Sequence, residues 1–433
     1  MPLVNFSNVD FDQIKTSIKD YLRSNSNFTD YDFEGSNLSA IIDTLAYNTY
    51  ITSYNANMVT NEVFIDSATL RENVVSLARN IGYVPRSRKA AKANVSFSVD
   101  CTNTTAVTLT LKAGIVLTTA QRFGGNSYTF AIPDDVTVPV LSDGRAYFDD
   151  LNVYEGTYIN QTYTVSSRNP NQKFTLPNVG IDSDLIRVVV KDNENSSVRD
   201  KYSKADSLFK IDSQSMIWFL QEIENERYEV IFGDGVFGKK VEEPNYIEAS
   251  YIASSGAEAN GMAQFAYAGR LVSNSGTSIT SGVSIIYTNS PSGGGSAIES
   301  IESVKKYAPQ IYASQNRAVT AADFEGLLPR IYAEAESVSA YGGEELNPPR
   351  YGEVFISVKP YNGVYLSSAI KDNIKKELKK YSCAGIITEI LDLKYLFVET
   401  ASTVYYDTSK ATSAEAVKNT IVNNITQYSD SSQ

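Results

Sequence analysis

At 433 residues the chain is too long for one ordinary hydrophobic core, so about two to four compact units are expected. With 42% hydrophobic and 20% charged residues it has the balance of a folded chain, and no apolar run approaches the ~18 residues needed to cross a bilayer. A formal charge of −12 argues against wrapping nucleic acid, and the complete absence of histidine removes Ser-His-Asp and Cys-His mechanisms, imidazole zinc sites and imidazole acid–base catalysis.

The opening MPLVNFSNVDFDQ has neither the cationic start nor the apolar stretch of a secretory signal, so folding in the cytoplasm without a membrane anchor is expected. The first 84 residues read as helical and as a separable unit. Phe11, Ile14, Ile18, Tyr21 and Leu22 make one amphipathic stripe. Ser36 is placed to cap a second, longer helix carrying Leu38, Ile41, Ile42, Leu45, Tyr50 and Met58. Thr69 and Glu72 have capping-box spacing ahead of Leu70, Val74, Leu77 and Ile81, and Gly82 supplies a stop before Pro85. Three such stripes with short links predict a helical bundle. In the middle helix Leu38, Ile42 and Leu45 are expected to face that bundle, while Tyr47, Tyr50, Tyr54 and Met58 continue along other sides and call for cover from a partner.

Arg86-Ser87-Arg88-Lys89-Ala90-Ala91-Lys92 reads as a solvated linker, or as a docking strip for an acidic partner. At Asn94 the period changes from 3.6 to 2: Val95, Phe97, Val99 and Cys101 alternate with polar residues. Residues 94–290 are expected to be mainly β, punctuated by turns such as Asp143-Gly144 and Asn169-Pro170, and the 29 tyrosines are expected to serve these sheets. The pairs Asp134-Asp135, Asp149-Asp150 and Asp182/Asp184 read as solvated loops or Asx turns.

Pro291-Ser292-Gly293-Gly294-Gly295 reads as a linker. After it come a helix capped by Ser296 and Glu299 and ended before Pro309, then a second capped by Thr320 and Asp323 and stopped by Pro329. Strands near 331–341 and 352–360, a helix over Leu366, Ile370, Ile374 and Leu378, strands near 386–406 and a last helix capped by Thr412 and Glu415 complete a two-layer α+β domain of helices and antiparallel strand pairs. The fold class expected is therefore multidomain α+β: an N-terminal helical bundle over residues 1–93, a central mainly-β body over 94–290, and a C-terminal two-layer α+β domain over 291–433. Cys101 and Cys383 are expected to be buried free thiols.

Gly233-Asp234-Gly235-Val236-Phe237-Gly238 matches G-x-G-x-x-G, but a dinucleotide site needs a helix after it, and Pro244 with the alternation of Tyr246, Glu248 and Ser250 predicts a strand instead. It is read as a structural turn joining a hairpin, with Asp-Gly taking positive φ and Gly238 permitting a bulge. No cofactor, metal or catalytic constellation emerges, and no enzymatic activity is expected.

The stretch YEVIFGDGVFGKKVEEPNYIEASYIASSGAEANG (228–261) resembles the hallmark of the baseplate J-like family of contractile-tail proteins. VKKYAPQIYASQNRAVTAADFEGLL (304–328) looks like a second block of that family, and residues 42–93 are similar in particular to the baseplate wedge proteins of T4-like phages. The likeness extends over most of residues 35–406 and is weakest over 94–200 and 262–295. T4-like wedge proteins continue well past residue 433, so the chain reads either as a shortened relative or as one lacking its C-terminal part. The resemblance implies a non-catalytic structural subunit of a phage tail baseplate, assembled in the host cytoplasm and resident in the virion. Its partners would be other wedge proteins and further copies of itself, in a ring around the tail hub that changes diameter on contraction. The alternatives are a tail-associated glycan or peptidoglycan hydrolase working with two carboxylates, which needs no histidine, and a glycan-binding adhesin.

Overall fold

The computed structural model describes residues 10–24, 36–102, 104, 106–119, 127–167, 173–205, 211–315, 317–332, 335–360, 365–393, 402–407 and 413–431. These fall into two units, Met1–Leu391 and Asp392–Gln433. The first holds an N-terminal helical region, a central body of mostly β structure and C-terminal α+β elements.

Helix α1 (Phe11–Arg23) is capped by Asp10, which accepts from the backbone N–H groups of Asp12 and Gln13. It packs along α2 (Asn37–Asn61), where Ser36 accepts from Ser39 N–H, and Lys15 reaches Asp43 at 2.5 Å. Just past α2, Glu62 accepts from Thr69 N–H (2.8 Å), the Thr69 hydroxyl (2.6 Å), Leu70 N–H and the Asn73 amide. Burial alone would push this carboxyl up; those hydrogen bonds bring it down to about 2. The expected Thr69–Glu72 capping box is therefore absent. Thr69 is engaged by Glu62, and Leu70 holds the cap position of α3 (Arg71–Asn80) with no side-chain bond. Gly82, at φ 80°, ends α3 in a Schellman motif: Gly82 N–H donates to Arg79 O and Tyr83 N–H to Ala78 O.

The three N-terminal helices do not close on one another as the stripes suggested. Val74 and Ala78 of α3, with Ala68 and Tyr83, share a core with Val304, Ala308 and Ile311 of α4 (Ile301–Ser314). An amphipathic stripe shows that a face is buried and leaves its partner open, here an element more than 200 residues away. Ser300, bonded to Ser303 N–H, caps α4 in place of the expected Ser296–Glu299 pair, and Pro309 lies inside the helix because the buried face continues through Ala308 and Ile311.

The β body has two modules, each with its own core. In the first, a six-stranded sheet runs in the order Phe265–Tyr267, Gly114–Thr119, Thr129–Ile132, Arg145–Glu155, Lys92–Asp100, Tyr287–Gly293. A four-stranded sheet (Ser278–Ile279, Leu271–Ser273, Thr108–Leu111, Val136–Pro139) shares its core, which includes Val95, Phe97, Leu109, Leu111, Phe130 and Phe148. In the second, a seven-stranded sheet runs Thr157–Thr164, Tyr246–Ala253, Arg187–Lys191, Asp200–Lys204, Ile217–Ile223, Arg227–Phe232, Lys173–Leu176 over Trp218, Phe232, Tyr251 and Leu176.

The expected linker at 291–295 is part of this architecture. Tyr287–Gly293 is an edge strand paired with Lys92–Asp100, a place where Pro291 is tolerated. A Cβ on Gly295 would stand 2.3 Å from Gly256 O, so glycine here serves close approach and not flexibility.

Helix α5 (Ala321–Ile331) starts with the capping box of Thr320 and Asp323 and retains Pro329 inside its last turn. Ala335–Gly342 and Glu353–Pro360 pair antiparallel, but Glu353–Pro360 and Ile387–Leu391 pair parallel through the crossover helix α6 (Ser368–Leu378). The C-terminal layer thus departs from the all-antiparallel expectation, because a helix between two strands permits parallel pairing. Residues 402–407 form no strand, and the reading of 394–401 and Thr412 falls outside the described residues. In the second unit, α7 (Ala414–Ser431) has Ser413 bonding Ala416 N–H at 3.1 Å. Cys101 is buried as expected, whereas Cys383 is exposed in the turn region after α6, where Tyr381 and Ile386 and not the thiol pack on the core; both are free.

Candidate functional site

Helix α2 buries Ser39, Ile42, Ala46, Asn57 and Asn61 alone. Of the residues read as an interface, Ile42 is 1% exposed, Leu38 and Tyr50 are half-buried, and Leu45, Tyr47, Tyr54 and Met58 are exposed. Leu45 was expected to face the bundle and is instead 50% exposed, since one helix, α1, covers only a narrow stripe. The apolar exposure also takes in Ile41 and Val59, and Val63 and Phe64 beyond the helix.

At residues 233–238 Asp234 Oδ1 accepts from Val236 N–H and Phe237 N–H at 2.8 Å each, and Gly235 N–H donates to Gly238 O. Gly235 and Gly238 take φ of 93° and 89°. Gly238 N–H and Lys239 N–H donate to Asp212 O and Ser215 O, which anchors the turn on a neighbouring loop. The turn does not close a hairpin. Arg227–Phe232 pairs on both edges with Ile217–Ile223 and Lys173–Leu176, so Tyr246–Ala253 joins the sheet elsewhere, between Thr157–Thr164 and Arg187–Lys191.

The basic stretch at 86–92 is neither a solvated linker nor an open strip; it straps the helices to the β body. Glu299, buried, accepts from the Tyr83 hydroxyl (2.6 Å), Arg86 N–H (2.8 Å) and the Ser303 hydroxyl (2.7 Å). Arg71 of α3 donates to Glu299 O and pairs with buried Glu222 through Nε–Oε1 (2.8 Å) and Nη2–Oε2 (3.3 Å). Burial holds the Glu222 carboxyl above its usual range even against the Arg71 charge, and burial beside Glu299 raises Tyr83. Lys89 pairs with Asp182 and Asp184, and Ala90 N–H donates to Asp182 at 2.9 Å. Asp182 is therefore buried, unlike the solvated loop expected, because the strap lies over it. Glu222 had one signal in sequence: it shares the inward parity of Trp218 on its strand.

A cleft of about 1100 Å³ opens between the outer face of the seven-stranded sheet and loops of the first module. Among the described residues no group of His, Cys, Asp or Glu could hold a metal ion, and no helix is long and apolar enough to cross a membrane.

These features define a modular α+β protein whose distinctive chemistry lies in surfaces and joints: a helix with apolar residues exposed on more than one side, an anchored turn and a charged cleft. Two of its segments match baseplate families, residues 10–83 the helical domain of baseplate wedge gp6-like proteins and residues 320–391 the C-terminal domain I of baseplate structural protein gp6. The chain is similar to baseplate wedge protein gp6 of Enterobacteria phage T4, 27% identical over 435 aligned residues that cover 96% of this chain and 64% of the relative. It thus spans less than two thirds of that relative's length. A solved structure, the six-fold symmetrised baseplate of the anti-feeding prophage, aligns over 87% of this chain and 70% of the other at 14% identity and a TM-score of 0.33.

Proposed function

We propose that this chain is a structural subunit of a contractile-tail baseplate wedge, working by assembly and not by catalysis. The observation that carries the reading is the similarity to a baseplate wedge protein over 96% of the chain. On this reading the protein resides in the virion tail baseplate after assembly in the host cytoplasm. It joins other wedge proteins and copies of itself in a ring around the hub, through head-to-tail contacts whose rotation closes. The baseplate J-like likeness of residues 228–261 fits the same role, with the anchored turn as part of the shared framework.

The exposed sides of α2 are the proposed contact, with Leu45 on one side and Tyr54 and Met58 on the opposite one, each side covered by a helix of another copy or of another wedge protein. Burial at ~25 cal/mol per Å² lets a few side chains such as Leu45, Tyr54 and Met58 anchor it. The double substitution Leu45→Glu with Tyr54→Glu should leave the melting of the purified chain unchanged, because both sites are exposed. It should reduce incorporation into wedge complexes by about tenfold or more, measured by co-expression and size-exclusion chromatography. Normal incorporation would remove α2 from the interface. Clearing by the purified chain in a cell-wall zymogram would replace the structural reading with the hydrolase one.

A further inference from the structure

We propose that the cleft between the two β modules is a docking site for an extended acidic segment of a neighbouring tail subunit. That the neighbour is a tail protein rests on the function proposed above; the preference for a carboxylate-rich strand rests on the cleft itself. The chain carries 38 basic against 50 acidic residues, yet the cleft reverses that balance. Its cations are Lys112, Arg187, Arg199, Lys201, Lys204 and Arg270, facing four carboxylates.

Each of the four is already neutralised. Asp134 pairs with Arg187 at 2.9 Å, and Asp135 with Lys112 at 2.8 Å and with Ala113 N–H at 2.7 Å. Asp184 pairs with Lys89 and, at 3.8 Å, Lys204; Glu248 pairs with Arg199 and, at 2.5 Å, Lys191. Lys89 and Lys191 contribute from outside the lining, which leaves Lys201 and Arg270 without a carboxylate partner among the described residues.

The two free cations belong to different modules. Lys201 lies on Asp200–Lys204 of the seven-stranded sheet, and Arg270 directly precedes Leu271–Ser273 of the four-stranded sheet. A strand sends successive side chains to opposite sides, so consecutive acidic residues in an extended segment can reach both. Asn160, Ser203 and Ser250 on the sheet face add polar partners along the way.

The test is fluorescence anisotropy of a labelled oligoglutamate peptide with the full chain, against Lys201→Glu with Arg270→Glu. Both side chains are exposed, so the variant should fold, which its melting curve checks. Binding that weakens with salt, falls by about tenfold or more in this variant and persists in the α2 double variant supports the site. That last arm separates failure here from failure of the α2 contact. No peptide binding, equal binding by the cleft variant, tighter binding of an oligonucleotide of equal charge, or displacement by inorganic phosphate well beyond that given by chloride at equal ionic strength would each overturn the proposal.

Discussion

A Cβ on Gly233 would stand 2.3 Å from the backbone of Gly238, whereas one on Gly235 would meet nothing nearer than Lys240 at 3.8 Å. The two glycines therefore answer different demands. Gly235 satisfies a positive φ of 93°, and Gly233 lets two stretches of backbone touch. Gly233→Ala should cost more than about 2 kcal/mol, since backbone must move to admit the methyl group. Gly235→Val should cost about 1 kcal/mol or more and Gly235→Asn less, because Asn tolerates the left-handed region. Urea denaturation of the three variants tests the order; a harmless Gly233→Ala would mean that the close approach is not required. The need for positive φ was legible in the Asp-Gly pair, which has a local cause. The contact between Gly233 and Gly238 was not, because it depends on how the turn folds back over itself.

Among elements, α3 depends most on a distant partner. Its Arg71 is the cation that pairs with buried Glu222, and it also donates to the backbone of Glu299. Removing one member of a buried pair leaves the other charged and desolvated, so Arg71→Met should destabilise the chain by about 3–5 kcal/mol. Replacing the partner as well, with Glu222→Leu, should recover most of that loss, because an apolar pair of similar volume avoids desolvation altogether. Thermal melts of the single and double variants decide this; a double variant as unstable as the single one would mean that Arg71 acts mainly through Glu299. The helix itself could be read from its stripe and from Gly82. Its partner could not, since periodicity carries no information on which of several apolar faces lies opposite.

For the whole molecule, the boundary between helices and β body is tied in both directions. Residues 1–61 carry α1 and α2, while Ala68, Val74, Ala78 and Tyr83 belong to the core of α4. Deleting residues 1–61 should leave a cooperative melt near that of the full chain. Deleting 1–84 should lower it steeply or cause aggregation, by opening the α4 core and stranding Glu222 and Glu299; equal melts for both deletions would show that α3 is dispensable. By itself the sequence determined the order of helical, β and α+β regions, the caps at Ser36 and Thr320, and the alternation of Lys92–Asp100, all set by near neighbours and by period. It also carried the likeness to baseplate wedge proteins, through ordered blocks of residues. Only the tertiary structure decided that the basic stretch is an internal strap, that the glycine-rich segment is an edge strand, that the turn at 233–238 closes no hairpin, and that a cation-rich cleft opens between the modules. The physical reason is common to all four: burial and pairing are set by residues far apart in sequence, and a local pattern specifies what a segment can bury without specifying against what.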